Sequence, residues 1–170
     1  MGIVCYKLSG IEQVNKNTAI SRRKPSAPTQ FLDDQGLLKG KLLDFGSGRG
    51  FDADHYGMAA YDPHWSPDPL TLETQYDTIV CNYVLNVVEP EEEQGILAKV
   101  ASLLSPAGSA YFAVRRDIPR TGQQGRGCWQ RWVELKLPVV TERRGFVIYR
   151  MNETKEVGRM KVGDDFEGNK

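Results

Sequence analysis

The chain has 170 residues, 40% of them hydrophobic and 26% charged, which is the balance of an ordinary globular protein with one core. No apolar run reaches the length of a membrane helix and the N-terminus lacks a signal-peptide core, so we expect a cytoplasmic protein with no membrane partner. The three cysteines have no CxxC spacing and there are two histidines, which argues against a zinc or iron cluster, so no metal ligands are predicted.

The formal net charge of zero hides an uneven distribution along the chain. Residues 1–40 hold 6 basic and 3 acidic groups, residues 41–106 hold 3 and 11, and residues 107–170 hold 13 and 8. An acidic middle between basic flanks is compatible with an anionic partner such as nucleic acid. Chance variation in surface charge explains the same distribution.

The first 40 residues are predicted to form an N-terminal arm followed by a short helix. Residues 3–6 have the composition of a short edge strand or of a docked arm. The basic run Arg22–Lys24 precedes a proline, so it lies on a loop, where it can bind an anionic substrate or be a solvated run of charges. Ser26 is a favourable N-cap, and a helix is expected from Ala27 to Gln35, ahead of a glycine.

The segment Lys41–Gly50 has the pattern of a buried strand followed by a tight glycine turn. Glycines at three alternate positions permit positive φ angles and a close approach of the backbone to a ligand. Asp62 closes the next apolar run, 18 residues after Asp44, near the roughly 20-residue interval at which doubly wound domains place a ribose-binding carboxylate. These features predict a nucleoside site. Its candidate residues are Asp44, Gly46, Ser47, Gly48, Gly50 and Asp62.

The residues that follow the glycine turn and the second acid are further candidates for this site. Asp52 and Asp54 can line the ligand, or they can be solvated acids in the first turn of a helix. Pro63 and Trp65 come just after Asp62, where side chains flank the base of a bound nucleoside. Trp65 can therefore stack on adenine, or it can anchor its own proline-rich loop.

The interval between Asp62 and the next strand is too short for a full doubly wound domain. That strand is Tyr76–Asn82, so 13 residues intervene, and Pro63–Thr74 contains five proline, serine or aspartate residues that interrupt regular structure. A helix, a strand and a second helix do not fit there. We therefore predict a trimmed α/β sheet, shortened between strands 2 and 4 of the usual order and mostly parallel, with an antiparallel C-terminal hairpin.

Polar side chains follow the strand Tyr76–Asn82 at the edge where ligands of open α/β sheets lie. Asn82, Tyr83 and Asn86 are therefore candidates to contact the reacting groups. The next segment, Glu89–Leu104, has an apolar stripe of helical period. Its proline and glutamates suit the first turn of a helix, so we interpret them as helix-start residues and not as a catalytic cluster.

A further strand, Ser109–Val114, ends in Arg115 and Asp117, which join the candidates at the same edge of the sheet. The stretch Arg115–Arg131 holds five arginines with interleaved glycine, glutamine and tryptophan, and its loop is expected to be mobile. This composition suits the binding of phosphate or of a nucleobase, and it equally suits a flexible, solvated loop.

The C-terminal part is predicted to close the core and then to lose its order. Gln130–Glu142 and Gly145–Met151 are expected to pair as an antiparallel hairpin joined by a tight turn. Residues 152–170 are polar with few apolar side chains, so a disordered tail is predicted.

The spacing D-x-G-x-G-x-G from Asp44 to Gly50 resembles motif I of class I S-adenosylmethionine (SAM) methyltransferases, whereas the dinucleotide pattern G-x-G-x-x-G would need a glycine at Phe51. The resemblance implies a Rossmann-like methyltransferase core over residues 41–151, with SAM as cofactor and S-adenosylhomocysteine (SAH) as product. It also implies that Asp44 faces the methionine ammonium group and that the glycine turn wraps the amino acid and sugar. Asp62 would accept from the ribose hydroxyls.

Together with Thr18–Arg22 and Asn82–Glu89, the turn resembles one branch of these enzymes over about half of the chain. This branch comprises the methyltransferase-like proteins associated with DNA phosphorothioation systems, and their short relatives. The chain departs from the branch at Ser47, where a cysteine is expected, and it lacks the long extra region of the larger members. The resemblance implies SAM binding in a DNA-modification or mobile-element setting, and it leaves the methyl acceptor open.

The predicted function is transfer of a methyl group from SAM to an unknown acceptor, with nucleic acid or a component of a modification system among the candidates. Asn82, Tyr83, Asn86 and Asp117 can accept a hydrogen bond from an amine, and Arg115 can hold an anionic group. The base-methylation signatures (D/N/S)-P-P-Y and Pro-Cys are missing. The alternative is a catalytically silent SAM-binding module of a modification or phage-defence complex. The absence of a third fingerprint glycine argues against an NAD-binding protein.

Overall fold

One mixed sheet lies at the centre of the fold. The computed structural model describes residues 18–125 and 127–152, so the predictions for residues 3–6 and for the tail lie outside the described residues. The three α-helices of the described part are α1 (Ala27–Asp34), α2 (Phe51–Tyr56) and α3 (Pro90–Ser102). Its eight strands are β1 (Leu42–Phe45), β2 (Ala59–Tyr61), β3 (Tyr76–Asn82), β4 (Leu104–Arg115), β5 (Gln123–Gln124), β6 (Trp129–Gln130), β7 (Val139–Glu142) and β8 (Phe146–Asn152).

Six of the strands form the central sheet, in the order β2-β1-β3-β4-β8-β7. Neighbours from β2 to β4 are parallel, whereas β8 and β7 are added in antiparallel orientation. The prediction of a mostly parallel α/β sheet that ends in an antiparallel hairpin is therefore confirmed. Strand β3 has the bounds that the β-branched run Tyr76–Asn82 predicted.

The sheet is shortened between β2 and β3, as the sequence predicted. This interval contains a 3-10 helix, Pro69–Glu73, in place of further α-helix and strand. Asp68 begins the 3-10 helix by accepting a hydrogen bond from the Leu70 N–H at 3.0 Å. Strand β2 consequently lies at one edge of the sheet, with β1 as its neighbour.

Side chains alternate along the central strands and enter two apolar layers, one on each face of the sheet. Helix α3 covers one face, where Ile96 and Val100 are fully buried. Helices α1 and α2 cover the other face through Leu32 and Ala53. Each such side chain contributes about 1.5–3 kcal/mol by leaving water. None of the helices in the described part is long and apolar enough to span a membrane.

The helices begin where the sequence placed their caps. Ser26 is the N-cap of α1, and Gly36, with a φ of 64°, follows its last turn, so the predicted bounds are right to within one residue. Helix α3 begins with a proline and glutamates, and Glu89 and Glu92 form a capping box there. The interpretation of these glutamates as helix-start residues is confirmed.

A bulge extends β4 beyond its predicted start. Residues 106–108 precede the predicted strand Ser109–Val114, yet they lie inside the observed one, because the pairing with β3 jumps from Tyr76–Leu104 to Thr78–Ser109. Ala107 adopts a positive φ of 65° at this bulge. A Cβ on Gly108 would lie 2.9 Å from the Ser105 carbonyl oxygen, so only glycine fits the position.

The prediction of one continuous strand over Gln130–Glu142 is wrong. Only its ends are strands: β6 pairs with β5 in a separate two-stranded ribbon, and β7 pairs with β8. Between them Val133, Leu135 and Leu137 pack on the apolar face beside α3. The alternating apolar residues are thus buried by a segment that packs on the face of the sheet and does not pair with a strand. The loop Ile118–Cys128, expected to be mobile, contributes β5 to the ribbon.

Candidate functional site

A cleft of about 540 Å³ opens at the carboxyl ends of β1, β3 and β4, which is the size of a small-molecule site. Asp44 of β1, Asn82 of β3 and Arg115 of β4 line it. Asp44 pairs in register with Val80, and Asn82 is two residues beyond Val80 on β3. Asn82 pairs with Ala113, and Arg115 is two residues beyond Ala113 on β4. Since side chains two residues apart on a strand point to the same face, Asp44, Asn82 and Arg115 share one face of the sheet. The cleft therefore has a β1 half and a β4 half, with Asn82 between them.

The glycine turn after β1 has the backbone conformation that the sequence predicted. All three of its glycines have positive φ angles, between 53° and 81°. The N–H groups of Gly46 and Ser47 donate to the Tyr61 carbonyl at 2.7 and 3.0 Å, which ties the turn to the end of β2. A Cβ on Gly48 would lie 3.2 Å from the Cβ of Ala19, so the segment before α1 packs directly on the turn.

Asp62 borders the cleft. Its carboxylate holds the backbone of the glycine turn and of the loop after β2. One oxygen of its carboxylate accepts from the Gly48 N–H at 3.0 Å, and the other accepts from the N–H groups of His64 and Trp65 at 2.9 Å each. Each carboxylate oxygen has two lone pairs, so the first oxygen retains one for a ligand hydroxyl. The geometry is compatible with the predicted ribose contact.

Asp44 is a buried acid on the floor of the cleft, with 4% of its surface exposed. Burial, reinforced by the nearby carboxylates of Asp52 and Asp62, raises the pKa of its carboxyl to about 8 against the opposing effect of Arg22. The charged form of Asp44 is unfavourable because burial removes its water and because Asp52 and Asp62 lie nearby. A positively charged ligand would stabilise the Asp44 carboxylate.

Two buried polar atoms of the cleft have no hydrogen-bond partner within residues 18–125 and 127–152: Ser47 Oγ and Asn82 Oδ1. Leaving a buried donor or acceptor unpaired costs about 1–3 kcal/mol. Most buried polar atoms in folded proteins are paired with protein or ordered water, so these two atoms are available to a polar ligand or to a water molecule in the cleft.

A buried network joins Asn82 to the start of α1. The Asp52 carboxylate accepts from the Ser26 N–H at 2.9 Å and from the hydroxyl groups of Ser26 and Thr29. The Thr29 oxygen in turn accepts from the Asn82 amide nitrogen at 2.7 Å. Asp52 is thus a buried structural acid at the edge of the cleft, which the sequence did not predict, while Asp54 is exposed.

The β4 half of the cleft holds a strained tyrosine and an ion pair. Tyr83 has a φ of 63°, which is rare for a bulky residue, and its N–H donates to the Ala113 carbonyl at 2.8 Å. Burial raises the pKa of its hydroxyl to about 12, so the hydroxyl is neutral at physiological pH. Arg115 binds Asp117 through two hydrogen bonds of 2.8 and 2.9 Å, which lower the pKa of Asp117.

Three of the predicted cofactor contacts, Gly50, Pro63 and Trp65, lie outside the lining of the cleft. Gly50 is the residue from which α2 begins. The Trp65 ring lies under the Arg49 guanidinium, whose carbon is 4.5 Å from the ring centroid, and Arg49 itself lines the cleft. In this structure Trp65 therefore contacts Arg49 at the rim of the cleft.

Asn86 is a clamp between segments, which corrects its predicted place at the reacting centre. The residue is fully buried and does not line the cleft. Its amide nitrogen donates to the Arg131 carbonyl, and its amide oxygen accepts from the Arg115 N–H, each at 2.9 Å. Both ends of the amide are engaged by backbone, and the side chain is buried outside the cleft, so Asn86 is not placed to contact a substrate.

Replacing Asn86 by leucine is expected to lower the free energy of unfolding by about 2–5 kcal/mol, because two buried backbone groups lose their partner. Unfolding in urea measures this change. Gln94→Leu is the matched control, since it makes the same kind of exchange on the exposed side of α3 and should change stability by less than about 0.5 kcal/mol. Equal stability of the two variants would contradict the clamp.

The N-terminal segment contributes to the cleft more than its composition predicted. Thr18, Ala19, Ile20 and Arg22 all line it. The signal in the sequence was the motif Thr18–Arg22, on which the resemblance partly rested. Gln130 and Phe146 also line the cleft, and sequence reasoning assigned them only to the hairpin.

Most arginines of the loop between β4 and β7 have partners within the chain. Arg116 donates to the Val133 carbonyl and to the Tyr149 hydroxyl. Arg120 pairs with Glu134 at 3.0 Å, and Arg131 pairs with Glu93 at 2.5 Å. These three guanidinium groups are therefore occupied, and among the described residues of the predicted anion-binding segments Arg22 and Arg115 face the cleft.

Comparison with solved structures finds methyltransferase folds. A 1,6-didemethyltoxoflavin-N1-methyltransferase of Burkholderia thailandensis, with bound 1,6-didemethyltoxoflavin and SAH, matches with a TM-score of 0.51 at 16% identity over 75% of this chain and 77% of that chain. A DhpI-SAM-HEP complex matches with a TM-score of 0.50 at 14% identity over 73% of this chain and 86% of that one. The chain therefore has the Rossmann-like fold of class I SAM methyltransferases.

A third solved structure concerns the conversion of a disulfide bond into a thioacetal group during echinomycin biosynthesis. It matches with a TM-score of 0.43 at 19% identity over 55% of this chain, and the chain spans about half of that protein, 52%. No family model and no curated protein matches the chain.

Proposed function

We propose that the protein is a SAM-dependent methyltransferase that binds its cofactor in the β1 half of the cleft and its acceptor in the β4 half. The observation that carries the proposal is Asp44, a buried carboxyl with a pKa raised to about 8 on the floor of a cleft of small-molecule size. A positively charged ligand compensates such a group, and SAM carries an ammonium group and a sulfonium. The presence of SAM or SAH in both of the better-matching structures supports this choice.

Four groups of the chain would hold the cofactor. Asp44 would face the methionine ammonium group, and the glycine turn would wrap the amino acid and the sugar. Asp62 would accept from the ribose hydroxyls with the lone pair that its backbone partners leave free. The unpaired Ser47 hydroxyl would gain a hydrogen-bond partner on the ligand, which explains how a buried polar atom is tolerated there.

Bound SAM would supply a methyl group on a positively charged sulfur, so the protein needs mainly to orient the acceptor and to exclude water. The β4 half suits this task because its polar groups are fixed. Asp117 holds the Arg115 guanidinium through two hydrogen bonds, and the backbone of Tyr83 is tied to β4 by its hydrogen bond to the Ala113 carbonyl. These residues would position the acceptor, with Arg115 available for an anionic group.

We propose an acceptor from a DNA-modification setting, in line with the resemblance to the proteins associated with DNA phosphorothioation. Part of the motif behind that resemblance lines the cleft, and the packing of Ala19 on Gly48 gives it a physical role. Arg22 faces the cleft and the neighbouring Arg23 and Lys24 are exposed. This basic run would favour an anionic acceptor such as nucleic acid.

Incubation with SAM labelled in its methyl group is expected to transfer the label to a component of a cell extract, with nucleic acid the first fraction to analyse. Asp44→Asn should lose the transfer, whereas Asp54→Asn, the same exchange at the exposed acid of α2, should retain it. Scintillation counting of the fractions gives the result. Binding of SAM and SAH without transfer to any fraction would favour the alternative, a silent SAM-binding module, over an enzyme.

A further inference from the structure

The network below the cleft determines which end of the Asn82 amide faces the ligand. As a carboxylate, Asp52 can only accept hydrogen bonds, so the Thr29 hydroxyl donates its single hydrogen to it at 2.8 Å. The Thr29 oxygen is then left as an acceptor, and it lies 2.7 Å from the Asn82 side chain. Only the amide nitrogen can donate to it. The orientation of Asn82 therefore follows from counting hydrogens along the network.

The amide oxygen of Asn82 consequently faces away from α1. It is buried, it has no partner in the described part of the chain, and the residue lines the cleft. The register of the sheet puts Asn82 on β3 between Asp44 of β1 and Arg115 of β4. The unpaired acceptor thus lies at the boundary of the two halves, where a cofactor above β1 and an acceptor above β4 would meet.

We infer that Asn82 Oδ1 accepts a hydrogen bond from the methyl-accepting group, that this group is a neutral nitrogen bearing N–H, and that Thr29 and Asp52 are positioning residues for the amide. The inference rests on the proposed function, and it narrows the acceptor to a class. A carboxylate or thiolate nucleophile has no hydrogen to donate and would set its lone pairs against the amide oxygen.

The other polar groups of the β4 half also favour an amine over a hydroxyl. A hydroxyl group must lose its proton to attack, and an amide oxygen is not a base. Asp117 is held by Arg115, which lowers the pKa of Asp117, and the raised pKa of Tyr83 keeps its hydroxyl protonated. A neutral amine needs no base before attack, because its lone pair is available while its N–H donates to Asn82.

The atoms and charges of this step balance without a further reactant. The nitrogen lone pair forms the new bond to the methyl carbon as the bond from that carbon to sulfur breaks. The electron pair of the broken bond stays on sulfur, which becomes the neutral thioether of SAH. The nitrogen becomes positively charged and then loses its N–H proton to water, so Asn82 orients the nitrogen and takes no proton.

Sinefungin and SAH test the inference because sinefungin carries an amine at the place of the transferred methyl group, and the two ligands otherwise match closely. The unaltered protein is expected to bind sinefungin more tightly than SAH in calorimetric titrations. Asn82→Leu, which removes the amide at similar volume, should reduce that preference by about tenfold or more, because a hydrogen bond to a charged group is lost.

The positioning role of Thr29 has a readout of its own. Thr29→Val removes the hydroxyl that orients the amide, so the preference for sinefungin should fall in the same direction as in Asn82→Leu. Thr29→Ser keeps a hydroxyl at the same place and should restore the preference. A purely structural contribution of Thr29 would weaken the binding of both ligands equally and leave their ratio unchanged.

Each outcome of these titrations supports or overturns the inference about Asn82. An unchanged ratio in folded Asn82→Leu and Thr29→Val, with SAH still bound, overturns the inference and leaves the proposed function standing. Equal weakening of both ligands also overturns it, because Oδ1 would then contact a part that sinefungin and SAH share. No SAH binding to the unaltered protein overturns the proposed function, and this inference with it.

Discussion

Replacing Asp44 by asparagine is expected to abolish the binding of SAM and SAH while making the unliganded protein more stable at neutral pH. The side chain is buried beside two other acids, so without a cation the carboxyl must take up a proton when the protein folds, and this uptake opposes folding at neutral pH. Removing one partner of a buried charge pair costs about 3–5 kcal/mol, so the affinity should fall by about 100-fold or more.

The stability effect of Asp44→Asn has a defined dependence on pH. The pKa of Asp44 is about 8 in the folded protein and 3.8 ordinarily, so between these values the folded protein keeps a proton that the unfolded chain has lost. This group therefore makes the free energy of unfolding fall as pH rises through that window, by at most about 1.4 kcal/mol per pH unit. Urea unfolding across the window should show a flatter profile for Asp44→Asn, with Asp54→Asn as control. The same pH dependence in Asp44→Asn and in the unaltered protein would contradict the raised pKa of the Asp44 carboxyl.

Replacing Asp62 by asparagine is expected to weaken SAH binding by about tenfold or more and, unlike Asp44→Asn, to destabilise the unliganded protein by about 1–3 kcal/mol. The amide has one oxygen where the carboxylate has two. Either the N–H of Gly48 or the N–H groups of His64 and Trp65 would therefore face an NH₂ group. An NH₂ group that faces Gly48 also removes the free lone pair of the proposed ribose contact, and the other orientation disturbs the loop that positions this oxygen.

Calorimetry and urea unfolding on the same preparations of the two variants compare both effects. The two acids border one cleft, so the account predicts the same direction for ligand affinity and opposite directions for stability. An Asp62→Asn variant that is as stable as the unaltered protein would show that its backbone hydrogen bonds are unimportant. Unaltered SAH affinity in that variant would remove Asp62 from the site.

Local patterns predicted the parts of the fold that depend on neighbouring residues. The β-branched run Tyr76–Asn82, the N-cap Ser26 and the alternate glycines of Lys41–Gly50 each specify a conformation within a few residues. The shortened interval before β3 was predictable as well, because chain length limits what 13 residues can form. The position of the cleft then followed from the rule that ligands lie at the carboxyl ends of the strands.

Long-range contacts account for what the sequence did not predict. Asp52 reads equally as an acid that lines a ligand site or as a solvated acid in a first turn, and its buried role depends on Ser26 and Thr29, more than twenty residues away. Asn86 reads as a site residue because it follows a strand, yet its partners are the backbone of Arg115 and Arg131. Nothing local to these residues distinguishes a polar group that binds a ligand from one that binds the chain.

The strand bounds failed for a related reason. Alternating apolar residues indicate that one side of a segment is buried. The segment with Val133 is buried because it packs on the face of the sheet, not because it pairs with a strand. The extension of β4 to Leu104 depends on the bulge at Gly108, whose need for glycine arises from the Ser105 and Tyr76 carbonyl groups that surround it. These are properties of the packed sheet.

Calorimetric titration of the protein with SAM and SAH tests the central claim, a SAM site in the β1 half of the cleft, most directly. The account predicts one site of micromolar affinity for both ligands, no binding of NAD, loss of the site in Asp44→Asn and retention in Asp54→Asn. Absence of binding by both sulfur ligands would contradict the account and leave a methyltransferase fold without its cofactor. Equal binding in the two variants would contradict the role of Asp44.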